Sequence, residues 1–132
     1  MIPRLLLDTH VLVRWLLQAK KLSAEQTRTL EGTTRRAEPV ALSAASLIEI
    51  AVLTSDGKLR LPLDEFFNDL QANPLFRVLP LTYEIASEVG SLGRNLRDPA
   101  DRVIVATARV HRLRLVTSDQ RIIESKLIPV VD

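Results

Sequence analysis

Residues 5–16 read LLLDTHVLVRWL, and this stretch decides how the fold is interpreted. The apolar run at residues 2–7 stops at Asp8, which predicts a short buried strand with an acid directly past its end. The dense apolar residues at 11–17 then predict a mostly buried helix. A strand that leads at once into a helix is typical of a parallel α/β arrangement.

The rest of the chain repeats this alternation. Further strands are predicted at residues 39–42, 76–81, 113–117 and 128–131. Helices are predicted to start at Ser23 (a capping box with Gln26), at Ser43 or Ser46, within residues 62–72, at Thr82 and at Asp98. The pattern predicts an α/β fold with a central, mostly parallel sheet of four to five strands, flanked by helices. We expect residues 1–132 to form a single domain.

Composition narrows the class of protein. The chain is 46% hydrophobic and 4% aromatic, and it has no Cys, which excludes disulfides and thiolate metal sites. No apolar run is long enough to predict a membrane span. The opening MIPRLLLD is interpreted as a strand rather than a signal peptide, and we expect a cytoplasmic protein. If four of the 16 acids share one site, 12 acids remain against 18 basic residues, a balance that favours phosphate-rich partners elsewhere on the surface.

Two acids occupy equivalent places in the predicted sheet. Asp8 follows LLL, and Asp119 follows LVTS, so each lies just past the carboxyl end of a predicted parallel strand. Ligands of open α/β sheets bind at that edge. Two carboxylates brought together there would repel one another, which raises a pKa or recruits a cation.

Three further acids have competing interpretations. Asp101 lies in the first turn of the helix DPADRVIVATA, where an acid also stabilises the helix N-terminus, and Asp98 has the position of an N-cap. Glu49 is embedded in ASLIEIAVL. It either forms a capping box with Ser46 or lies almost two turns inside a helix that starts at Ser43, where a buried carboxylate needs a polar pocket such as a metal site.

A cluster of carboxylates that holds divalent ions is suited to phosphodiester hydrolysis, because the ion lowers the pKa of a bound water and neutralises charge on the phosphate. Mg²⁺ prefers such oxygen ligands. The acids alone therefore predict a hydrolytic metal site that needs no Ser–His–Asp arrangement.

The segments LLLDTHVLVRWL, SLIEIAVL, DPADRVIVATA and LVTSD, in this order, resemble the PIN-domain family and, within it, the VapC-type toxins of bacterial toxin–antitoxin pairs. The resemblance covers nearly the whole chain. It implies a PIN-like three-layer fold and a Mg²⁺- or Mn²⁺-dependent endoribonuclease. It also implies a small VapB-like antitoxin as a partner and a homodimer.

The same resemblance implies roles for individual residues. Its catalytic acids match Asp8, Glu49, Asp101 and Asp119, of which Asp8, Asp101 and Asp119 would hold the metal. Thr117, or Ser118, matches a supporting hydroxyl, and Asp98 is a candidate for a supporting role around the metal. Arg94, Arg97 and Arg102 flank the predicted site and are candidates for binding RNA phosphates.

Two alternatives to a ribonuclease remain open. One is a non-catalytic PIN-fold domain that binds RNA or protein, against which the intact acidic set argues. The other is a phosphatase or receiver domain that uses Asp8 as a phosphorylated nucleophile. Such phosphatases carry a second Asp two residues later, where this chain has His10, and LVTSD lacks the Lys of a receiver domain.

Overall fold

A computed structural model describes residues 1–132, in which strands and helices alternate along most of the chain. The elements are β1 (Leu5–Leu7), α1 (Thr9–Leu17), a 3₁₀ turn (Ala19–Lys21), α2 (Ala24–Arg35), β2 (Val40–Ser43), α3 (Ala44–Ser55), α4 (Leu63–Ala72), β3 (Phe76–Leu79), α5 (Tyr83–Ser91), α6 (Pro99–His111), β4 (Arg114–Val116), α7 (Gln120–Ser125) and β5 (Val130–Val131).

The five strands form one sheet in the order β3-β2-β1-β4-β5, and every neighbouring pair is parallel. The predicted α/β class and central parallel sheet are therefore confirmed. The chain moves outward from β1 to β2 and β3, and then returns to the other side of β1 for β4. The strand order thus reverses between β1 and β4, and a crevice forms at such a point, beyond the carboxyl ends of the strands.

The core lies on both faces of the sheet, because alternate residues of a strand point to opposite sides. Leu6 packs on one side with residues of α5, α6 and α7. Leu5 and Leu7 pack on the other side with residues of α1, α2, α3 and α4. All three leucines are buried, so β1 is covered by helices on both faces and its end is held rigidly.

The structure decides several local questions. The capping box of Ser23 and Gln26 is present as predicted. Helix α3 is capped by Ser43, whose hydroxyl accepts from the backbone N–H of Ala45, so the capping box between Ser46 and Glu49 was the wrong alternative. Helix α7 was not predicted, since six residues are too few to show a helical period.

Candidate active site

Asp8 lies at the centre of the crevice, between the end of β1 and the start of α1. The residue is 3% exposed, and both carboxylate oxygens accept hydrogen bonds. The backbone N–H of Thr9 donates to Oδ1 at 2.8 Å, and the hydroxyl of Thr117 donates to Oδ2 at 2.6 Å. Each carboxylate oxygen can accept a further bond. Asp8 is therefore a fixed acceptor whose remaining lone pairs are available to a cation.

Thr117 connects the two predicted strand-end acids. It is fully buried at the end of β4, and its hydroxyl also accepts the backbone N–H of Asp119 at 3.0 Å. The carboxylate of Asp119 caps α7 by accepting from Arg121 N–H at 2.9 Å. The Nε of Arg121 lies 3.6 Å from the same oxygen. The structure thus places Thr117 where the sequence predicted a supporting hydroxyl.

Glu49 reaches the crevice from the second turn of α3. Its Oε1 accepts from the Thr9 hydroxyl at 2.5 Å. The same hydroxyl lies 2.9 Å from Ser46 Oγ, so a small chain of polar groups joins α1 to α3. This chain provides the polar pocket that Glu49 requires inside an otherwise apolar helix. It leaves Oε2 without a partner among the protein's own groups.

Asp98 and Asp101 enter from the start of α6. Asp98 is exposed and caps this helix, and its Oδ1 accepts from the backbone N–H groups of Ala100 and Asp101 at 2.9 and 3.2 Å. Asp101 is 8% exposed. Burial, and then repulsion from Asp98 and the other carboxylates of the crevice, raises the pKa of Asp101 to about 7. Asp101 therefore carries the clearest sign of uncompensated negative charge.

One cleft of about 390 Å³ brings these groups together. Its lining contains all five proposed acids, namely Asp8, Glu49, Asp98, Asp101 and Asp119. No three His, Asp or Glu side chains converge closely enough, as placed, to hold a metal ion directly. The acids thus share a cleft without forming a closed coordination cage.

The donor set nevertheless suits a hard divalent cation. Carboxylate oxygens are the ligands that Mg²⁺ prefers, and Mg²⁺ keeps several waters, so that one or two direct carboxylates suffice. Burial raises the pKa of Asp101, and repulsion from the neighbouring carboxylates raises it further. A divalent cation would relieve that repulsion, and Asp8, Asp101 and Asp119 all line the cleft that would receive it.

His10 joins the two loops that carry the strand-end acids. The backbone N–H of Ser118 donates to Nε2 at 2.9 Å, so the ring proton is assigned to Nδ1, which lies 3.5 Å from Oδ2 of Asp8. Burial lowers the pKa of His10, and the nearby charge of Asp8 opposes that effect. In its neutral form, His10 connects the start of α1 to the segment that follows β4.

Arg102, a predicted RNA-binding residue, is engaged within the protein. Its guanidinium donates to three backbone carbonyls, those of Gly93, Leu96 and Val89, at 2.6–2.9 Å. It therefore ties the end of α5 and the following loop to α6. Arg97 is exposed beside Asp98 and Asp101 in a smaller depression, and Arg94 is exposed outside the cleft. Neither is among the residues that line the cleft.

The cations that do line the cleft were largely missed from the sequence. They are Arg14, Lys21, Lys58 and Arg121. None of them is among the three RNA-binding candidates predicted from the sequence, because these four side chains come from four separate segments. Their common position is a property of the fold and leaves no spacing signal in the sequence.

A family model described as PIN domain matches residues 5–126. Among curated proteins, the chain is similar to Ribonuclease VapC22 of Mycobacterium tuberculosis. The two are 32% identical over 118 residues, which cover 89% of this chain and 88% of that protein. The family model and this relative agree with the resemblance carried by the four sequence segments.

Solved structures share the fold. The crystal structure of FitAcB from Neisseria gonorrhoeae superposes with a TM-score of 0.71 at 23% identity, over 97% of this chain and 96% of that one. The crystal structure of VapBC2 from Rickettsia felis, bound to a DNA fragment from their promoter, gives 0.72 at 15% identity, over 96% of each. No helix of this chain combines the length and apolarity needed to cross a bilayer.

Proposed function

This chain belongs to the PIN-domain family, and on that basis we propose that it is a Mg²⁺- or Mn²⁺-dependent endoribonuclease that acts as the toxin of a toxin–antitoxin pair. The observation that carries the proposal is the cleft at the strand-order reversal, where acids from four separate segments meet. The proposed catalytic residues are Asp8, Glu49, Asp101 and Asp119. The VapC relative supports RNA as the substrate class.

The proposed roles follow from what each side chain can still bind. Asp8, Asp101 and Asp119 would hold the ion, and a bound ion lowers the pKa of a coordinated water and neutralises charge that develops on the phosphate. Glu49 has Oε1 occupied by Thr9, which leaves Oε2 to orient the attacking water and accept its proton. Thr117 holds Asp8 and the backbone of Asp119 in fixed positions relative to one another. Asp98 supports Asp101 by accepting a hydrogen bond from the backbone N–H of Asp101.

The partners are also proposals. A VapB-like antitoxin is supported by the family and by a fold neighbour whose structure is a VapBC complex. A homodimer is supported by exposed apolar side chains such as Ile48, Val52 and Leu81. A cytoplasmic location is consistent with the absence of a spanning helix. Mass measurement of the purified chain, alone and co-expressed with its antitoxin, tests both assemblies.

RNA cleavage with Mg²⁺ or Mn²⁺ tests the enzymatic proposal. We expect cleavage to stop with EDTA and in Asp8→Asn and Asp101→Asn. Asp69→Asn is a matched control, because it removes the same charge from an exposed position of α4. Cleavage that persists in both cleft variants, or after chelation, would refute the mechanism. A covalent phosphoryl-enzyme that Asp8→Asn abolishes would favour the phosphotransfer alternative instead.

A further inference from the structure

The catalytic cleft separates its charges by depth. At its floor, Asp8 and Asp101 are 3% and 8% exposed. At its rim, Lys21 and Lys58 are exposed and Arg14 is half-buried. The cleft therefore presents these cations to a ligand that approaches from solvent, while Asp8 and Asp101 lie below them. Of the other acids in the lining, Glu49 and Asp119 are half-buried and Asp98 is exposed.

The three rim cations do not pair with the acids they face. The chain has five ion pairs, and Arg14, Lys21 and Lys58 take part in none of them. They also donate no side-chain hydrogen bond within the protein, in contrast to Arg102, whose guanidinium is engaged by carbonyls. Their N–H groups are therefore available to an external anion.

The rim cations also come from different segments of the chain. Arg14 lies on α1 and Lys21 on the 3₁₀ turn that follows it, whereas Lys58 lies in the segment between α3 and α4. A polyanionic strand that crosses the acidic floor would meet cations from both of these segments. Arg121 lies on the cleft as well, but its Nε is 3.6 Å from Asp119, so its charge is already partly directed at an acid.

We propose that Arg14, Lys21 and Lys58 bind the phosphates on either side of the scissile bond, so that a single-stranded RNA backbone crosses the cleft from α1 to the α3–α4 segment. This proposal rests on the proposed ribonuclease function and names the residues that hold its substrate. These three cations are proposed in place of Arg94, Arg97 and Arg102, the RNA-binding candidates predicted from the sequence. Phosphate contacts of this kind position a strand and depend strongly on salt.

Neighbouring residues provide matched controls. Lys20 and Lys21 are adjacent exposed lysines of one 3₁₀ turn, yet only Lys21 lines the cleft. Arg60 is exposed two residues from Lys58 and does not line it. Lys20→Gln and Arg60→Gln therefore remove the same net charge as the test variants without touching the proposed track.

The binding experiment uses the cleavage-silent Asp8→Asn chain and a short, fluorescein-labelled single-stranded RNA over a series of salt concentrations. We expect Lys21→Gln and Lys58→Gln each to reduce the slope of log affinity against log salt by about 0.7, the value for one phosphate contact on a single strand. Lys20→Gln and Arg60→Gln should leave the slope unchanged. Equal effects of Lys20→Gln and Lys21→Gln, or no change of slope in either test variant, would overturn the proposal.

Cleavage kinetics provide the second readout, and they use the chain in which Asp8 is retained. Because phosphates flanking the bond are held equally before and during reaction, Lys21→Gln and Lys58→Gln should raise KM and leave kcat within about twofold. Arg14→Lys keeps the charge and should behave nearly as the parent, whereas Arg14→Gln should raise KM. A loss of kcat at unchanged KM would contradict a binding role for these cations.

The two proposals fail in different ways. If the chain binds RNA with the contrast between Lys20 and Lys21 but never cleaves it, the phosphate track stands and the nuclease function is wrong. If the chain cleaves RNA and the contrast is absent, the function stands and the track is wrong.

Discussion

Replacing Asp101 by Asn should make the metal-free protein more stable at neutral pH, although it removes a proposed metal ligand. Asp101 is 8% exposed, and burial together with the neighbouring carboxylates raises its pKa to about 7 from the ordinary 3.8. The ionised form is therefore destabilised in the folded chain. An amide has nearly the same shape and cannot ionise, so it removes that repulsion.

The sign of the effect follows from proton linkage. A carboxyl whose pKa is raised by folding contributes stability that is fully present below about pH 4 and is lost as the pH rises through about 7. At about 1.4 kcal/mol per pKa unit, the full change is about 4 kcal/mol. Loss of a charge that favours the N-terminus of α6 costs the variant about 0.3–1 kcal/mol. We expect Asp101→Asn to be about 3 kcal/mol more stable than the parent at pH 8 and nearly equal to it at pH 4.

Urea unfolding in EDTA at several pH values between 4 and 8.5 measures this difference. The quantity to compare is the free energy of unfolding of Asp101→Asn minus that of the parent, because shared titrating groups cancel. A gain of about 3 kcal/mol corresponds to a rise in Tm of roughly 10 °C. Asp69→Asn, on the exposed side of α4, is the control for the removal of one carboxylate.

A difference between Asp101→Asn and its parent that is constant across pH would refute this reasoning, since it would mean that Asp101 titrates alike in both states. A variant less stable than the parent at pH 8 would show that Asp101 is already neutralised by a protein group. The expected opposite movement of stability and activity is typical of a charged active site.

Three further predictions concern the surroundings of the cleft. Mg²⁺ should stabilise the parent more at pH 8 than at pH 6, because Asp101, with its pKa raised to about 7, must lose a proton to bind the ion. The Tm with and without Mg²⁺ measures this difference, and an equal gain in Tm at both pH values would argue against Asp101 as a ligand. Thr117→Val should lose about 1–3 kcal/mol of stability and about 10–100-fold in cleavage rate, since Asp8 and Asp119 lose a shared hydrogen-bond partner. The control is Thr107→Val, which disturbs only a hydrogen bond within α6 and should lose stability but keep the cleavage rate. Arg102→Gln should lower the free energy of unfolding by about 1–3 kcal/mol without changing the salt slope of RNA binding, and a reduced slope would restore its predicted RNA contact.

Local signals in the sequence predicted much of the fold. Apolar runs followed by acids located β1 and β4, and cap residues located the starts of α2, α5 and α6. Helix α7 was missed because its six residues carry too little periodicity. The carbonyl contacts of Arg102 could not be predicted, because a charge beside a predicted site does not indicate which carbonyls lie within its reach.

Local features of the sequence indicate which acids follow strands, which residues cap helices and which family the chain resembles, since these features lie within one element or its immediate neighbours. The folded chain brings Thr117 to Asp8 across a separation of 109 residues, brings Thr9 to Glu49, and places Arg14, Lys21 and Lys58 on one rim. Those contacts depend on the strand order and on how each helix packs against the sheet. No spacing along the chain encodes them, because distant residues meet only after the sheet has formed.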